Sequence, residues 1–243
     1  MLKILLADRT TGRNILWANA EFGAKEIQPA HVHLIKPRHE KVRELQKFRT
    51  KIRAEIFTPP EVCKIQNDLI TADKKSWTDY IDAKFLEITC GEAPYLVGRY
   101  NAVTGEPIEI NQRVGLLDRK LRVVGNETST VIDWKEFATR AMQSVYGYEF
   151  QGDNLFLARK NVFETVIDYY AEKFSRQPPE DFLRNVAEII SWNLWQMDGL
   201  TCGVPYGVEP NLFATEKFFC EIKDWHENKI VTFKSLLGGR ERR

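Results

Sequence analysis

Lys84-Phe85-Leu86-Glu87-Ile88-Thr89-Cys90-Gly91-Glu92-Ala93-Pro94 is the stretch whose reading decides the fold. Residues 84–88 have the length and apolar content of a short strand. Residues 89–93 are a turn of small and polar side chains, and Pro94 stands where a helix would open. The same alternation recurs downstream. The sequence predicts a helix over 134–145, a strand over 146–150 and a strongly periodic helix over 154–174 that begins after Asp153. Pro178-Pro179 ends one unit and opens a helix over 180–190. A Trp- and Leu-rich strand candidate follows at 191–197, closed by Asp198-Gly199. Strands alternating with helices specify an α/β fold with a parallel sheet, and such sheets hold ligands at the carboxyl ends of their strands.

Upstream, residues 2–7 and 14–18 are apolar runs flanking Asp8-Arg9-Thr10-Thr11-Gly12-Arg13, which predicts an N-terminal β-hairpin. Residues 36–53 carry eight Lys or Arg against two Glu, with Val42, Leu45 and Phe48 at helical spacing. They predict a basic helical connector whose cations either face solvent or contact phosphates. In Phe57-Thr58-Pro59-Pro60-Glu61-Val62, Thr58 is suited to cap a helix that receives Pro60 and Glu61 in its first turn and runs to about residue 70. Residues 101–133 show few clean elements and are read as an insertion outside the sheet, with a short helix near 116–124. The runs 218–222 and 229–233 predict a β-rich tail. The resulting organisation is an N-terminal hairpin and connector (1–53), a central domain (54–200) and the tail (201–243).

Composition excludes several classes. With 43% hydrophobic and 28% charged residues the chain is globular. Its 35 basic and 34 acidic side chains nearly cancel, so any nucleic-acid contact must be local. Cys63, Cys90, Cys202 and Cys220 form no CxxC spacing and do not pair with His31, His33, His39 or His226, so no metal site is expected. The amino terminus reaches charge too early for a secretory leader and no run is long enough to cross a membrane, which gives a cytoplasmic expectation.

Three acids stand just past the predicted strands: Glu87 with the turn Cys90-Gly91-Glu92-Ala93, Glu149 after Tyr146-Gly147-Tyr148, and Asp198 after Trp195-Gln196-Met197. In that order they suit an adenosine ligand. A small-residue turn admits close backbone approach, an acid after the second strand accepts from both ribose hydroxyls, and a later Asp accepts from an adenine amine. Singly, each is an ordinary capping, solvated or turn-forming carboxylate.

Phe57-Thr58-Pro59-Pro60, Leu86-Glu87-Ile88-Thr89-Cys90-Gly91-Glu92-Ala93-Pro94-Tyr95-Leu96 and Tyr146-Gly147-Tyr148-Glu149-Phe150 resemble the cofactor half of the DNA adenine amino-methyltransferases of bacterial restriction–modification systems. More closely, LEITCGEAPYL, YGYEFQGDNL and SWNLWQMDGL look like a group of modification subunits of restriction enzymes. The resemblance spans roughly residues 50–200. It implies a Rossmann-like fold that binds S-adenosyl-L-methionine. Phe57, Thr58, Pro59, Glu87, Cys90, Gly91 and Ala93 would surround its methionine, Glu149 and Phe150 would hold its ribose side, and Asp198 its adenine.

Three departures from the family pattern matter. Ala93 replaces the commoner second glycine of the turn, and 62 residues separate Glu87 from Glu149, far more than a simple dinucleotide unit has. The family's catalytic loop, Asn or Asp followed by Pro-Pro and an aromatic, is missing. Its nearest counterpart is Gly203-Val204-Pro205-Tyr206, where Val204 offers no side-chain acceptor for a target amine. The resemblance therefore implies a cofactor-binding subunit of a split adenine-N6 methyltransferase. A second subunit would bring the Asn-Pro-Pro-Tyr type loop and most of the DNA contact. The alternatives are a stand-alone methyltransferase with a degenerate loop and a non-enzymatic binding module.

Overall fold

The computed structural model describes residues 1–19, 21–53, 55–56, 58–70, 76–207 and 219–237. Four helices, α1 (Leu2–Leu6), α2 (Arg43–Arg53), α3 (Pro60–Ile70) and α4 (Trp77–Asp82), precede strand β1 (Phe85–Glu87). Then come α5 (Leu116–Glu127), α6 (Val131–Gln143), β2 (Val145–Glu149), α7 (Gly152–Phe174), α8 (Glu180–Asn193) and β3 (Leu194–Gln196). Strands β4 (Glu221–Asp224) and β5 (Lys229–Thr232) and helix α9 (Phe233–Leu237) complete the described chain. The first three strands form one parallel sheet in the order β1-β2-β3, and β4 and β5 pair as an antiparallel hairpin. The α/β expectation with its β-rich tail is met at this level.

Pleating divides the sheet. Val145 and Leu194 point into the main core with helices α5 to α8, while Tyr146 and Trp195 point the other way, against Ile222, Val231 and Phe233 of the tail. In the main core Trp134 is fully buried and meets Tyr170, Phe174 and Phe182 edge to face. Such a ring contributes about 0.5–1.5 kcal/mol per aromatic pair beyond its area burial. Asn193, buried at the end of α8, donates to the carbonyls of Met142 and Val145 and accepts from Trp225 Nε1. One amide thus fixes the helix layer, β2 and the hairpin turn together.

Several local expectations are corrected. Residues 2–6 are helical, not a strand; the antiparallel contact survives only as the bridge between Ala7 and Asn14. An apolar run this short has no deciding period. Leu5 and Leu6 bury against α7 and α8, and Arg159, itself fully buried, donates to the carbonyls of Leu5 and Ala7 at the helix end. The helix expected at Pro94 is a single turn, closed by Val97 N–H donating to Ala93 carbonyl at 2.9 Å. The expected insertion adds no strand to the sheet, yet it is part of the core: α5 buries Leu116, Leu117, Leu121 and Val124 and packs on α6 and α7. Residues 191–193 belong to α8 rather than to a strand.

Among the described residues β1 pairs only with β2, so its outer edge is open, and Leu86 and Ile88 beside it are exposed. Val62, Ile65 and Leu69 on α3 are exposed as well. No helix among the described residues is long and apolar enough to cross a membrane.

Candidate functional site

The parallel register sets the geometry. Glu87 lies opposite Gly147 and Glu149 opposite Gln196, so Glu87, Glu149 and, two residues beyond β3, Asp198 stand at the same end of three neighbouring strands. Gly147 is needed there because an added Cβ would come within 2.9 Å of Leu194 Cδ2 and 3.3 Å of Cys90. The turn after β1 is wound by three left-handed residues, Thr89, Gly91 and Ala93, with φ of 46°, 55° and 64°. Its Cys90 N–H donates to Tyr148 carbonyl at 2.8 Å, which folds the turn over the end of β2.

Glu149 closes that junction. It is buried, and its Oε2 accepts from Gly91 N–H at 2.9 Å while its Oε1 accepts from Gln151 N–H at 3.0 Å. Burial, with the nearby carboxylates of Asp153 and Glu55, pushes its pKa up, and the two N–H donors oppose that. A carboxylate has about four acceptor positions, and these N–H groups use two of them. Glu87 is more isolated. Burial raises its pKa to about 8, its Oε1 accepts from Tyr95 N–H at 3.3 Å, and its buried Oε2 has no partner among the described residues.

The segment before α3 reaches this place. The Pro59 carbonyl accepts from the N–H groups of Val62 and Cys63, opening α3 with Pro60 at its first position. Thr58 is half-buried and its carbonyl accepts from Cys63 Sγ at 3.8 Å. Cys63 is buried, and desolvation, with the Glu87 carboxylate next, pushes its thiol up to about 12. Asn67, one turn on, donates to the carbonyls of Tyr95 and Val114 and secures that packing. Phe57 lies outside the described residues. Glu87, Cys90, Gly91, Ala93 and Glu149 are thus gathered around one junction, and α3, which Thr58 and Pro59 precede, is tied to it through Asn67.

Asp198 is half-buried and opens a tight turn: its carboxylate accepts from Leu200 N–H and its backbone pairs with Gly203. Phe150 meets the ring of Tyr206 with centroids 5.8 Å apart. Val204 and Pro205 are buried, and Val204 packs with Trp195 and Met197. The cysteines offer no poised nucleophile here, since burial holds the Cys90 thiol well above its ordinary range.

One feature of the surroundings carried no sequence signal. Arg49, on the connector helix, turns inward, donating to Glu55 Oε2 at 2.5 Å and to Asp153 Oδ2 at 2.7 Å. Gln151 and Asn154 also donate to Glu55 Oε2 at 3.2 Å. Residues 49, 55 and 153 share no motif, and only the folded chain joins them. Among the described residues no group of three His, Cys, Asp or Glu could hold a metal ion. No protein-family model, characterised protein or solved structure matches the chain.

Proposed function

We propose that this chain is the S-adenosyl-L-methionine-binding subunit of a split DNA adenine-N6 methyltransferase with a Rossmann-like methyltransferase domain. The observation that carries it is the row of Glu87, Glu149 and Asp198 at one end of three adjacent parallel strands, with a left-handed small-residue turn folded over the middle one. The unpartnered Glu87 Oε2 fits the group, because a methionine ammonium would supply the missing donor. Glu149 would take the ribose hydroxyls on its two remaining acceptor positions, and Asp198 the adenine amine. Bound there, the group would supply an electrophilic methyl.

What these residues do is bind and orient. Among the described residues, the loop at the position matching the family's catalytic loop keeps Val204 buried in apolar surroundings and offers no side-chain acceptor there for a target amine. This supports assigning catalysis to a second chain with an Asn-Pro-Pro-Tyr type loop. The open edge of β1 and the exposed Leu86 and Ile88 support it too, since an unpaired edge beside apolar side chains favours pairing with another chain. The test is calorimetry of the chain with S-adenosyl-L-methionine and its demethylated product. Absence of a binding heat at millimolar ligand, alone and with the partner, overturns the reading.

A further inference from the structure

Strand β1 spends one of its edges on β2. Phe85 N–H donates to Ser144 carbonyl at 2.9 Å, and alternation along a strand then turns the N–H and C=O of Leu86 the other way. Neither these groups nor those of Ile88 have a partner among the described residues. Leu86 is paired in register with Tyr146, so its side chain shares the face that looks toward the tail. On that face a cavity of about 170 Å³ lies between sheet and tail, walled by Leu86, Tyr146, Trp195, Val231, Phe233 and Leu236. The charges beside it are engaged elsewhere: Lys84 pairs with Asp224 at 3.2 Å, and Lys223 lies over the Trp225 ring at 4.4 Å.

We propose that the outer edge of β1 accepts an extended strand of the second chain, and that one large apolar side chain of this strand fills the cavity. The inference rests on the split reading for the identity of that chain. Two features select the occupant. Unpaired N–H and C=O groups along a strand edge are matched by another extended backbone, whereas a helix satisfies its own. On an added strand, the residue paired with Leu86 points to the same face, over the cavity, and a cavity on the order of 150 Å³ holds a benzene-sized group. Backbone bonds would thus give affinity, and the cavity would give register and side-chain preference. A second copy that paired Leu86 with Ile88 about a two-fold axis would set the two Glu87 side chains directly opposite each other, an arrangement that like carboxylates disfavour.

The probe is the capped peptide Thr-Val-Thr-Leu-Thr-Val-Thr, titrated without S-adenosyl-L-methionine so that failure of the strand site and failure of the cofactor site are told apart. Amide exchange followed by NMR on the full chain is the readout. Leu86 N–H should exchange freely in the chain alone and become protected with peptide. Asp in place of the central Leu should weaken binding at least about tenfold. Leu236→Asp in the chain should do the same, while Leu237→Asp, next to it but outside the cavity lining, should leave binding unchanged. Both positions are more than half exposed, and circular dichroism checks that each variant is folded. N-methylation of one alternate set of peptide nitrogens should abolish binding and that of the other set should spare it, because only one edge of the peptide meets β1. No binding at millimolar peptide, equal binding to the Leu236→Asp chain, or indifference to both methylation patterns overturns the proposal. So does protection of Leu86 N–H in the chain alone, whether a second copy or the chain itself covers the edge.

Discussion

Glu149 Oε2 accepts from Gly91 N–H at 2.9 Å, so the acid that ends β2 holds the turn that follows β1. One carboxylate therefore serves the fold and, in the proposed function, would also serve the ligand. Replacing Glu149 with Ala should weaken S-adenosyl-L-methionine binding by about 1–3 kcal/mol, the worth of hydrogen bonds to a charged group. It should also lower the melting temperature without ligand, because the N–H groups of Gly91 and Gln151 lose their acceptor. Asp198→Ala should cost less binding, since it would remove a single bond. Calorimetry and thermal melts separate the two effects; unchanged affinity in a folded Glu149→Ala chain refutes the ribose assignment.

Glu87 makes stability depend on pH in a stated direction. Its folded pKa of about 8 lies above the ordinary carboxylate value of 4.5, so the folded state holds the proton more tightly. Its contribution is complete below the unfolded value and is lost as pH rises through about 8. Glu87→Gln should remove part of the decline in stability between these limits in denaturant titrations. A ligand ammonium beside Glu87 favours the carboxylate, so binding near neutral pH should release a proton and tighten as pH rises. Heats measured in buffers of different ionisation enthalpy report that proton, and none released would detach Glu87 from the ligand.

The strands and the acids at their ends were legible because alternation of short apolar runs with periodic helices is a local signal. β1, β2, α3, α7 and the tail hairpin stand within a few residues of where the sequence places them. What failed was what only packing decides. Residues 2–6 have no period long enough to choose helix, and the place of α5 is set by Leu116, Leu117 and Leu121 meeting helices far along the chain. In the site, Glu149 was visible as a strand-end acid, but its bonds to Gly91 and Gln151 were not.

Arg49 hydrogen-bonds both Glu55 and Asp153, each of them buried, while Lys41 stands at 3.9 and 3.8 Å from the same two carboxylates, too far to replace those bonds. Removing one member of such a group leaves buried charge uncompensated, which costs about 3–5 kcal/mol. Arg49→Ala should therefore destabilise by that amount in urea titrations, although the residue lies on a helix otherwise rich in exposed cations. Arg43→Ala, on the same helix but exposed and without an ion pair among the described residues, should change stability by no more than about 0.5 kcal/mol. Equal effects would show that the buried network contributes nothing.

Ala93 is fully buried and has φ of 64°, a conformation that costs an L-residue about 1–2 kcal/mol and glycine almost nothing. Glycine there relieves the strain but gives up backbone entropy and a buried methyl, each close to 1 kcal/mol. Ala93→Gly should thus leave stability within about 1 kcal/mol of the parent. Ala93→Val adds a β-branch where neither the backbone nor the packing admits one, and should cost more than about 2 kcal/mol. Thermal melts of the two variants decide this; a tolerated valine would mean that the turn is not held left-handed.

If a second chain brings the methyl-accepting loop, it must reach the junction of Glu87, Glu149 and Asp198 to within hydrogen-bond distance of the target amine, so interface and active site coincide. The open edge of β1, with Leu86 and Ile88 exposed beside it, adjoins that junction and can take an added strand. Mixing the two purified chains should give a stable complex burying more than about 1,200 Å², with adenine methylation of DNA only in the mixture. Ile88→Lys should weaken the complex without unfolding the chain, since residue 88 is exposed. Val204→Asn should not create activity in the isolated chain, because Val204 is buried with Trp195 and Met197 and an amide there would face apolar groups. Tritium transfer to DNA reads all of these, and methylation by this chain alone at the rate of the mixture would end the split reading.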